Sequence, residues 1–237
     1  MEGVVRNMIK VILWDIDATL LNFLLAEKYA IQKCFSMFGL GECTDEMLAR
    51  YSVINAKDWK RLERREITRE EVLNGRFREF FQKEGIAFDE VEELNRQYQI
   101  GLGEYVFFND NGYELVEKLS RKYRQYAVTN GTLEAQKRKL EKSGLGALMD
   151  GAFISEQVGA DKPSLEFFDA VWEKIGHYEK DEVVIIGDSL TSDMLGGNNA
   201  GIKCIWYNPE GKENTVGCRI DYEIQNLSQV EEILERI

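Results

Sequence analysis

The sequence has 237 residues, 44% of them hydrophobic, which is enough for one large core or for a core with an inserted domain. The formal charge of −12 argues against a nucleic-acid polymer as a partner, because the two would repel each other. No stretch is long and apolar enough to span a membrane, and the polar first ten residues do not resemble a secretory signal.

Cysteine and histidine usage narrows the class of protein further. Four cysteines without Cys-x-x-Cys spacing do not form a disulfide scaffold in a chain this long, so we expect reduced thiols and a cytoplasmic location. A single histidine, His177, argues against histidine-rich zinc sites and Ser-His-Asp catalysis. Met8, just before the first apolar run, is a candidate start of the natural chain.

Short apolar runs alternate with helical patterns over most of the chain. Helices are predicted over 132–143 and 164–175, each followed by a glycine, and Ser228-x-x-Glu231 is a capping box for a last helix. This alternation predicts an α/β fold, a Rossmann-like parallel sheet with helices on both faces. The predicted strands are 10–14, 125–129, 152–154, 183–187 and 203–207.

Residues 22–103 interrupt the alternation with helical patterns alone. Thr68-x-x-Glu71 is a capping box, and Asp89-x-x-Glu92 opens a further helix. We therefore predict an inserted, all-helical cap over 22–103, and an α/β catalytic core made of 8–21 and 104–237. The aromatic residues expected in the core of this bundle are Tyr51, Trp59, Phe77, Phe80 and Phe81.

Polar residues cluster where the predicted strands end. Ligands of open parallel sheets gather at the carboxyl ends of the strands, so these side chains are expected to meet. Carboxylates there suit Mg²⁺, and one of them can attack phosphorus while a second moves the proton. A hydroxyl, backbone N–H groups and a lysine can hold the phosphoryl oxygens. The residues concerned are Asp15, Asp17, Thr129, Asn130, Gly131, Lys162, Asp188 and Asp193.

Four segments, in this order, resemble the four motifs of the haloacid dehalogenase (HAD) superfamily, and the helical insertion after the first resembles the C1-type cap of that family. Within it, Thr129-Asn130-Gly131 and the run 154–159 are most similar to the YjjG-like pyrimidine 5′-nucleotidases. The four segments are Asp15-Ile16-Asp17-Ala18-Thr19, Val128-Thr129-Asn130-Gly131, Lys162-Pro163 and Gly187-Asp188-Ser189-Leu190-Thr191-Ser192-Asp193.

The resemblance implies a role for each matching residue. Asp15 would be the nucleophile and a Mg²⁺ ligand, and Asp17 would be the general acid/base with its carbonyl on the metal. Thr129, Asn130 and Lys162 would bind the phosphoryl group. Asp188 would bind Mg²⁺, and Asp193 would bind it or orient its waters, although a first-turn acid at a helix start also suits the helix dipole. Ala18 departs from the family pattern, where many relatives carry Gly or Glu.

The function that this resemblance implies is a Mg²⁺-dependent phosphatase acting through an aspartyl-phosphate. Its partners would be small phosphorylated metabolites, with nucleoside 5′-monophosphates as candidates, and neither a nucleic acid nor a membrane. The cap would close over the strand ends, and the protein would be a monomer or a weak homodimer.

Three alternatives stay open at this stage. A haloacid dehalogenase uses the same nucleophile on carbon, but in the family pattern it lacks the second aspartate, so Asp17 favours phosphate chemistry. A phosphosugar mutase keeps both aspartates. A non-catalytic binding protein on the same scaffold has no need of an intact Asp15, Asp17, Lys162 and Asp188.

Overall fold

The computed structural model describes residues 8–237, and these form two compact units. The first unit contains residues 8–22, 108–133 and 143–237, and the second contains 23–107 and 134–142. The question raised by Met8, whether residues 1–7 belong to the natural chain, lies outside the described residues. The predicted boundaries of the inserted helical cap, residues 22 and 103, stay a prediction.

The first unit is built on a six-stranded, fully parallel sheet, which confirms the predicted α/β class. The strands are β1 (Val11–Trp14), β2 (Arg124–Thr129), β3 (Gly151–Ile154), β4 (Val183–Gly187), β5 (Lys203–Tyr207) and β6 (Tyr222–Ile224). Their order in the sheet is β3-β2-β1-β4-β5-β6. Five strands match the predicted ones to within one residue at each end, and the sixth, β6, was not predicted.

The two central strands, β1 and β4, are apolar along their whole length because both faces of the sheet are covered there. The strand order reverses between them: β2 and β3 lie on one side, and β5 and β6 on the other. In open α/β sheets such a reversal leaves a crevice at the carboxyl ends of the strands. The fold therefore places the ends of β1 and β4 where a ligand is expected.

Helices cover both faces of this sheet. On one face, Phe167 and Val171 pack with Val11 and Ile185. On the other face, the amide of Gln125 receives a hydrogen bond from Trp14 and donates one to the carbonyl of Val116. The helices of this unit are α5 (Gly112–Leu119), α7 (Leu145–Leu148), α8 (Ser155–Val158), α9 (Leu165–Ile175), α10 (Leu195–Ala200) and α11 (Val230–Leu234), with short 3-10 turns at Lys180–Glu182 and Leu227–Gln229 and a π-helical turn at Leu190–Met194.

The start of the last helix differs from the prediction. The capping box is formed by Asn226 and Gln229 around the short 3-10 turn, and α11 begins only at Val230. Ser228 donates to the Asn226 side chain through its own backbone N–H and its hydroxyl. Because Asn226 precedes Ser228 and already accepts these bonds, Ser228 cannot serve as the N-cap.

The second unit is helical, and its core is aromatic. Tyr51, Phe77, Phe80 and Phe81 are buried there as predicted, whereas Trp59 is only half-buried. Ala135 belongs to the same core, so the helix that follows β2 packs with this unit. Its helices are α1 (Phe23–Met37), α2 (Asp45–Glu63), α3 (Arg69–Glu84), α4 (Val91–Glu104) and most of α6 (Leu133–Ser143). Within residues 8–237, no helix is long and apolar enough to cross a membrane.

Two helix starts in this unit were predicted from the sequence, one from the Thr68–Glu71 capping box and one at Asp89-x-x-Glu92. At α3 both hydrogen bonds of the Thr68–Glu71 box are present. At α4 the N-cap residue is Glu90, which makes no side-chain cap bond, and the helix begins at Val91. A helix therefore opens within the predicted segment, with its N-cap one residue after Asp89.

A buried polar network crosses the helical unit. The carboxylate of Glu27 accepts hydrogen bonds from Ser52, from Asn55 at 2.8 Å and from Tyr98 at 3.2 Å. Asn55 in turn accepts a bond of 2.7 Å from the buried guanidinium of Arg76. Burial raises the pKa of Glu27, whereas its hydrogen bonds and the charge of Arg76 oppose that rise. Asn55 thus connects an acid and a base that lie apart inside an apolar bundle.

The capping box of α3 provides a test of the helical unit. Replacing Thr68 with alanine should lower the free energy of unfolding by about 1 kcal/mol, because the N–H of Glu71 loses its acceptor. Urea unfolding followed by circular dichroism measures this loss. The matched control is Thr215→Ala in an exposed loop, expected to change stability by less than about 0.5 kcal/mol. Equal stability of the two variants would contradict the role of the box.

Candidate active site

Three aspartates converge at the carboxyl ends of β1 and β4. Asp15 directly follows β1, and its N–H donates to the carbonyl of Ile186 in β4 at 2.9 Å. Asp188 directly follows β4, and Asp193 lies in the π-helical turn after it. One carboxylate oxygen from each aspartate lies within 4.8 Å of the other two. The sheet thus brings together acids that are far apart in the sequence.

Lys162 connects two of these acids. Its ammonium donates to Asp15 Oδ1 at 2.8 Å, to Asp193 Oδ1 at 2.6 Å and to the carbonyl of Val128 at 2.6 Å. The side chain is only 1% exposed. A buried ammonium is costly unless all its protons are bonded, and here each of the three has an acceptor. The ion pairs therefore hold Lys162 between the end of β1 and the turn after β4.

The protonation states follow from burial and mutual repulsion. Burial raises the pKa of Asp15 to about 7, the charges of Asp193 and Asp17 add to the rise, and Lys162 opposes it. Burial, with the charges of Asp15 and Asp193, also raises the pKa of Asp188 well above its usual value. Burial alone would lower the pKa of Lys162, but the two carboxylates beside it raise it, so the ammonium stays charged.

This charge balance fits a divalent cation. Three carboxylates face one ammonium, so two negative charges stay uncompensated when all four groups are ionised. A bound cation favours the ionised form of each acid and removes their mutual repulsion. Carboxylate oxygens are ligands that Mg²⁺ accepts, with waters completing its shell. The residues that could hold such an ion are Asp15, Asp188 and Asp193.

The turn after β1 is tightly built. Ala18 has a φ of 65°, in the left-handed region that disfavours a side chain. The Thr19 hydroxyl donates to Asp15 Oδ2 at 2.9 Å and lies 3.4 Å from Asp188 Oδ1. Asp17 is half-buried in the same turn. Thr19 belongs to the first motif, but sequence reasoning assigned it no role.

The end of β2 supplies hydroxyl and amide groups. Thr129 is its last residue and is buried, and its Oγ1 accepts a bond from the N–H of Gly131 at 3.2 Å. The side-chain amide of Asn130 pairs with the backbone of Lys162, donating to its carbonyl and accepting from its N–H, both at 2.8 Å. The side chain of Asn130, which was predicted to bind substrate, therefore fixes the backbone of Lys162.

Gly187, at the end of β4, has no room for a side chain. A Cβ atom there would lie 2.3 Å from Cγ of Asp193. The carboxylate of Asp193 thus occupies the space beside the strand, where its Oδ2 accepts a bond of 3.0 Å from the N–H of Ser189. With Oδ1 bonded to Lys162, both oxygens of Asp193 are held by donors of the chain.

The arrangement has the parts that displacement at phosphorus requires. Asp15 is a carboxylate at a strand end, with an ammonium on one oxygen and a hydroxyl on the other. A second carboxylate, Asp17, is two residues away in the same turn. A carboxylate nucleophile, a nearby proton carrier and a fixed positive charge together suit hydrolysis through a covalent intermediate.

The chain is similar to known proteins in sequence and in structure. A family model described as haloacid dehalogenase-like hydrolase matches residues 12–207. The HAD-hydrolase YfnB of Bacillus subtilis is 35% identical over 225 residues, 95% of each chain. Its magnesium-bound crystal structure has a TM-score of 0.89 at 33% identity, covering 97% of this chain and 100% of that one.

Two further relatives carry enzyme names. The pyrimidine 5′-nucleotidase PynA of Streptococcus pneumoniae is 34% identical over 96% of this chain and 95% of its own length. The pyrimidine 5′-nucleotidase YjjG of Escherichia coli is 27% identical over 94% of this chain and 96% of its own length.

The raised pKa of Asp15 predicts how stability depends on pH in metal-free protein. An acid whose pKa rises on folding, here from 3.8 to about 7, stabilises the folded state while it is protonated and loses that effect as the pH rises through 7. The Tm without Mg²⁺ should therefore fall by at least about 4 °C from pH 5 to pH 8. Added Mg²⁺ should raise the Tm most at pH 8, because it needs ionised ligands.

Differential scanning calorimetry with and without EDTA measures this dependence. The matched control is Asp15→Asn, which has the same shape but no proton to lose, so its Tm should fall less over the same range. A wild-type Tm that rises with pH in EDTA would contradict the assignment.

Proposed function

Because the chain belongs to the haloacid dehalogenase-like hydrolase family, as its four motifs predicted, we propose that it is a Mg²⁺-dependent phosphatase of small phosphomonoesters. The observation that carries the proposal is the buried Asp15, bonded to Lys162 and within 4.8 Å of two further carboxylates. The nucleotidase names of PynA and YjjG support the same reaction class.

In the first step, a carboxylate oxygen of Asp15 attacks phosphorus. A new O–P bond forms as the ester P–O bond breaks, and the leaving alkoxide takes a proton from the carboxyl group of Asp17. In the second step, Asp17 takes a proton from water, whose oxygen attacks the phosphorus of the aspartyl-phosphate. Inorganic phosphate leaves, and the Asp15 carboxylate is restored. Splitting the reaction in this way replaces one difficult displacement by two easier ones.

Polar groups around Asp15 stabilise the charge on the phosphoryl oxygens. Thr129 offers its hydroxyl, and Lys162, whose three protons are already bonded, contributes a fixed positive charge and orients the Asp15 carboxylate. Asn130 contributes by holding the Lys162 backbone in place.

The cofactor proposed is Mg²⁺. It would be held by Asp15, Asp188 and the backbone carbonyl of Asp17, with Asp193 binding it or its waters. When bound, it supplies Lewis-acid stabilisation of the charge that builds up on phosphate. The magnesium in the YfnB structure supports this proposal.

For the substrate we propose nucleoside 5′-monophosphates, with pyrimidine nucleotides to be tested first because two relatives are named for them. The reaction would take place in the cytoplasm, on a monomer or a weak homodimer. Residues 22–103 would act as the cap that selects the leaving group.

The alternatives make different chemical demands. A dehalogenase needs no second aspartate in the turn after β1, and Asp17 is present there. A mutase would return an isomerised phosphosugar instead of free phosphate. A non-catalytic protein would have no use for a buried acid at the end of β1 that is costly to ionise.

Hydrolysis itself is the first test. Purified protein with Mg²⁺ should release inorganic phosphate from p-nitrophenyl phosphate and from pyrimidine 5′-monophosphates, and EDTA should abolish the release. Asp15→Asn should lower kcat by at least about 10⁴-fold, because the nucleophile is lost. The matched control is Asp161→Asn, an acid one residue before Lys162 with no role in the mechanism. Turnover that survives in Asp15→Asn would sink the proposed mechanism.

Asp17→Asn tests the proton carrier separately. The amide keeps the backbone carbonyl and the side-chain shape, so Mg²⁺ binding should stay within about two-fold while kcat falls by roughly 10²- to 10⁴-fold. The loss should be smaller for p-nitrophenyl phosphate, whose phenolate leaves without a proton, than for a nucleotide. Isothermal titration calorimetry measures the first quantity, and phosphate release measures the second. Undiminished turnover of the nucleotide would remove Asp17 from the mechanism.

A further inference from the structure

The peptide group between Asp188 and Ser189 is held at both of its ends. Its carbonyl oxygen, which belongs to Asp188, accepts a hydrogen bond of 2.8 Å from the indole N–H of Trp206. Its N–H, which belongs to Ser189, donates to Asp193 Oδ2 at 3.0 Å. One peptide plane therefore connects the two acids that follow β4, and Trp206 fixes that plane from outside the acid cluster.

Trp206 is placed for this contact by the sheet. In the parallel pairing of β4 and β5, Trp206 lies opposite Gly187, the residue that precedes Asp188. The side chain of Trp206 therefore leaves the backbone close to Asp188. The side chain is 2% exposed and packs in the same core cluster as Met194. An indole has a single polar atom, a donor, and a buried donor without an acceptor is costly. The ring is thus fixed by packing, and its one polar atom is directed at Asp188.

The backbone carbonyl of Asp188 has a shorter hydrogen bond than its carboxylate has with Thr19. The hydroxyl of Thr19 lies 3.4 Å from Asp188 Oδ1, which is long for a bond between two oxygens. The backbone bond from Trp206 is shorter, at 2.8 Å. Orientation of the carboxylate therefore depends on how firmly the peptide after it is held.

We propose that Trp206 is a positioning residue of the metal site, which acts by fixing the Asp188–Ser189 peptide. The proposal rests on the proposed Mg²⁺-dependent function. Holding the peptide sets the direction of the Asp188 carboxylate and, through the Ser189 N–H, the position of Asp193 Oδ2. Groups that orient metal ligands contribute about 10- to 100-fold to metal affinity or activity, although they never touch the ion.

Trp206→Phe removes the N–H and keeps an aromatic ring. The dissociation constant of Mg²⁺ should rise at least about ten-fold, measured by isothermal titration calorimetry on metal-free protein. The Mg²⁺ concentration for half-maximal phosphate release should rise in parallel, while kcat at saturating Mg²⁺ should change much less. A merely structural role for the ring would lower the Tm and leave the Mg²⁺ affinity unchanged.

Two controls separate the hydrogen bond from packing. Trp172→Phe makes the same change in α9, on a half-buried ring beside the same core cluster, and should leave Mg²⁺ binding unaffected. Benzothienylalanine at position 206 keeps the shape of the indole but replaces N–H by sulfur, so it decides the matter even if Trp206→Phe folds poorly. Benzothienylalanine should weaken Mg²⁺ binding as Trp206→Phe does, and unchanged binding with it would overturn the proposal.

Asp188→Asn distinguishes failure of this inference from failure of the metal site itself. If Asp188→Asn abolishes Mg²⁺ binding and the position 206 variants bind normally, the metal site stands and the role of Trp206 is refuted. If Asp188→Asn binds Mg²⁺ as tightly as the wild type, Asp188 is not a ligand, and the proposed metal site fails together with the role of Trp206.

Discussion

The ammonium of Lys162 is the group on which the rest of this centre depends. It carries the only positive charge bonded to Asp15 and Asp193 in the described part of the chain, and it lies where water cannot replace it. A buried pair of acids without this charge would be protonated or would drive the strands apart. The ion pairs therefore allow Asp15, the proposed nucleophile, to stay ionised, and they leave enough negative charge to bind a divalent ion.

The sheet brings together side chains that are far apart in the sequence. Lys162 and Asp15 are 147 residues apart in the sequence, and Thr19 and Asp188 are 169 apart. Thr19 and Asp188 meet because β1 and β4 are neighbours and both end at the same edge. Lys162 lies beside Asp15 because its ammonium also binds the carbonyl of Val128 in β2, the other neighbour of β1. Gly187 lets the carboxylate of Asp193 lie against the strand, and the π-helical turn returns the chain to that point. The acid cluster and Lys162 are therefore brought together mainly by the path of the backbone and less by the length of their side chains.

The parts of the fold and of the site that depend on local sequence signals could be predicted. The central strands are short apolar runs bounded by polar residues, so their ends, and with them Asp15 and Asp188, could be located. The edge strand β6 was missed because it has three residues and Glu223 is exposed. The prediction at Ser228 failed because a stronger cap, Asn226, lies two residues earlier. The sequence alone does not show whether a buried tryptophan donates a hydrogen bond through its indole N–H. For Trp206 that bond depends on the register between β4 and β5.

The order of the strands also affects how the chain is made. β1 leaves the ribosome first, yet its two neighbours begin only at Arg124 and Val183. During that interval an apolar strand followed by two carboxylates has neither pairing partners nor counter-charge, while α1 to α4 can form contacts among themselves. Such long-range pairing is slow and exposes unpaired strand edges to aggregation. A chain whose synthesis stalls before β4 would contain Asp15 and Lys162 but not Asp188 and Asp193, so the acid cluster is complete only after β4 and the turn that follows it have been made.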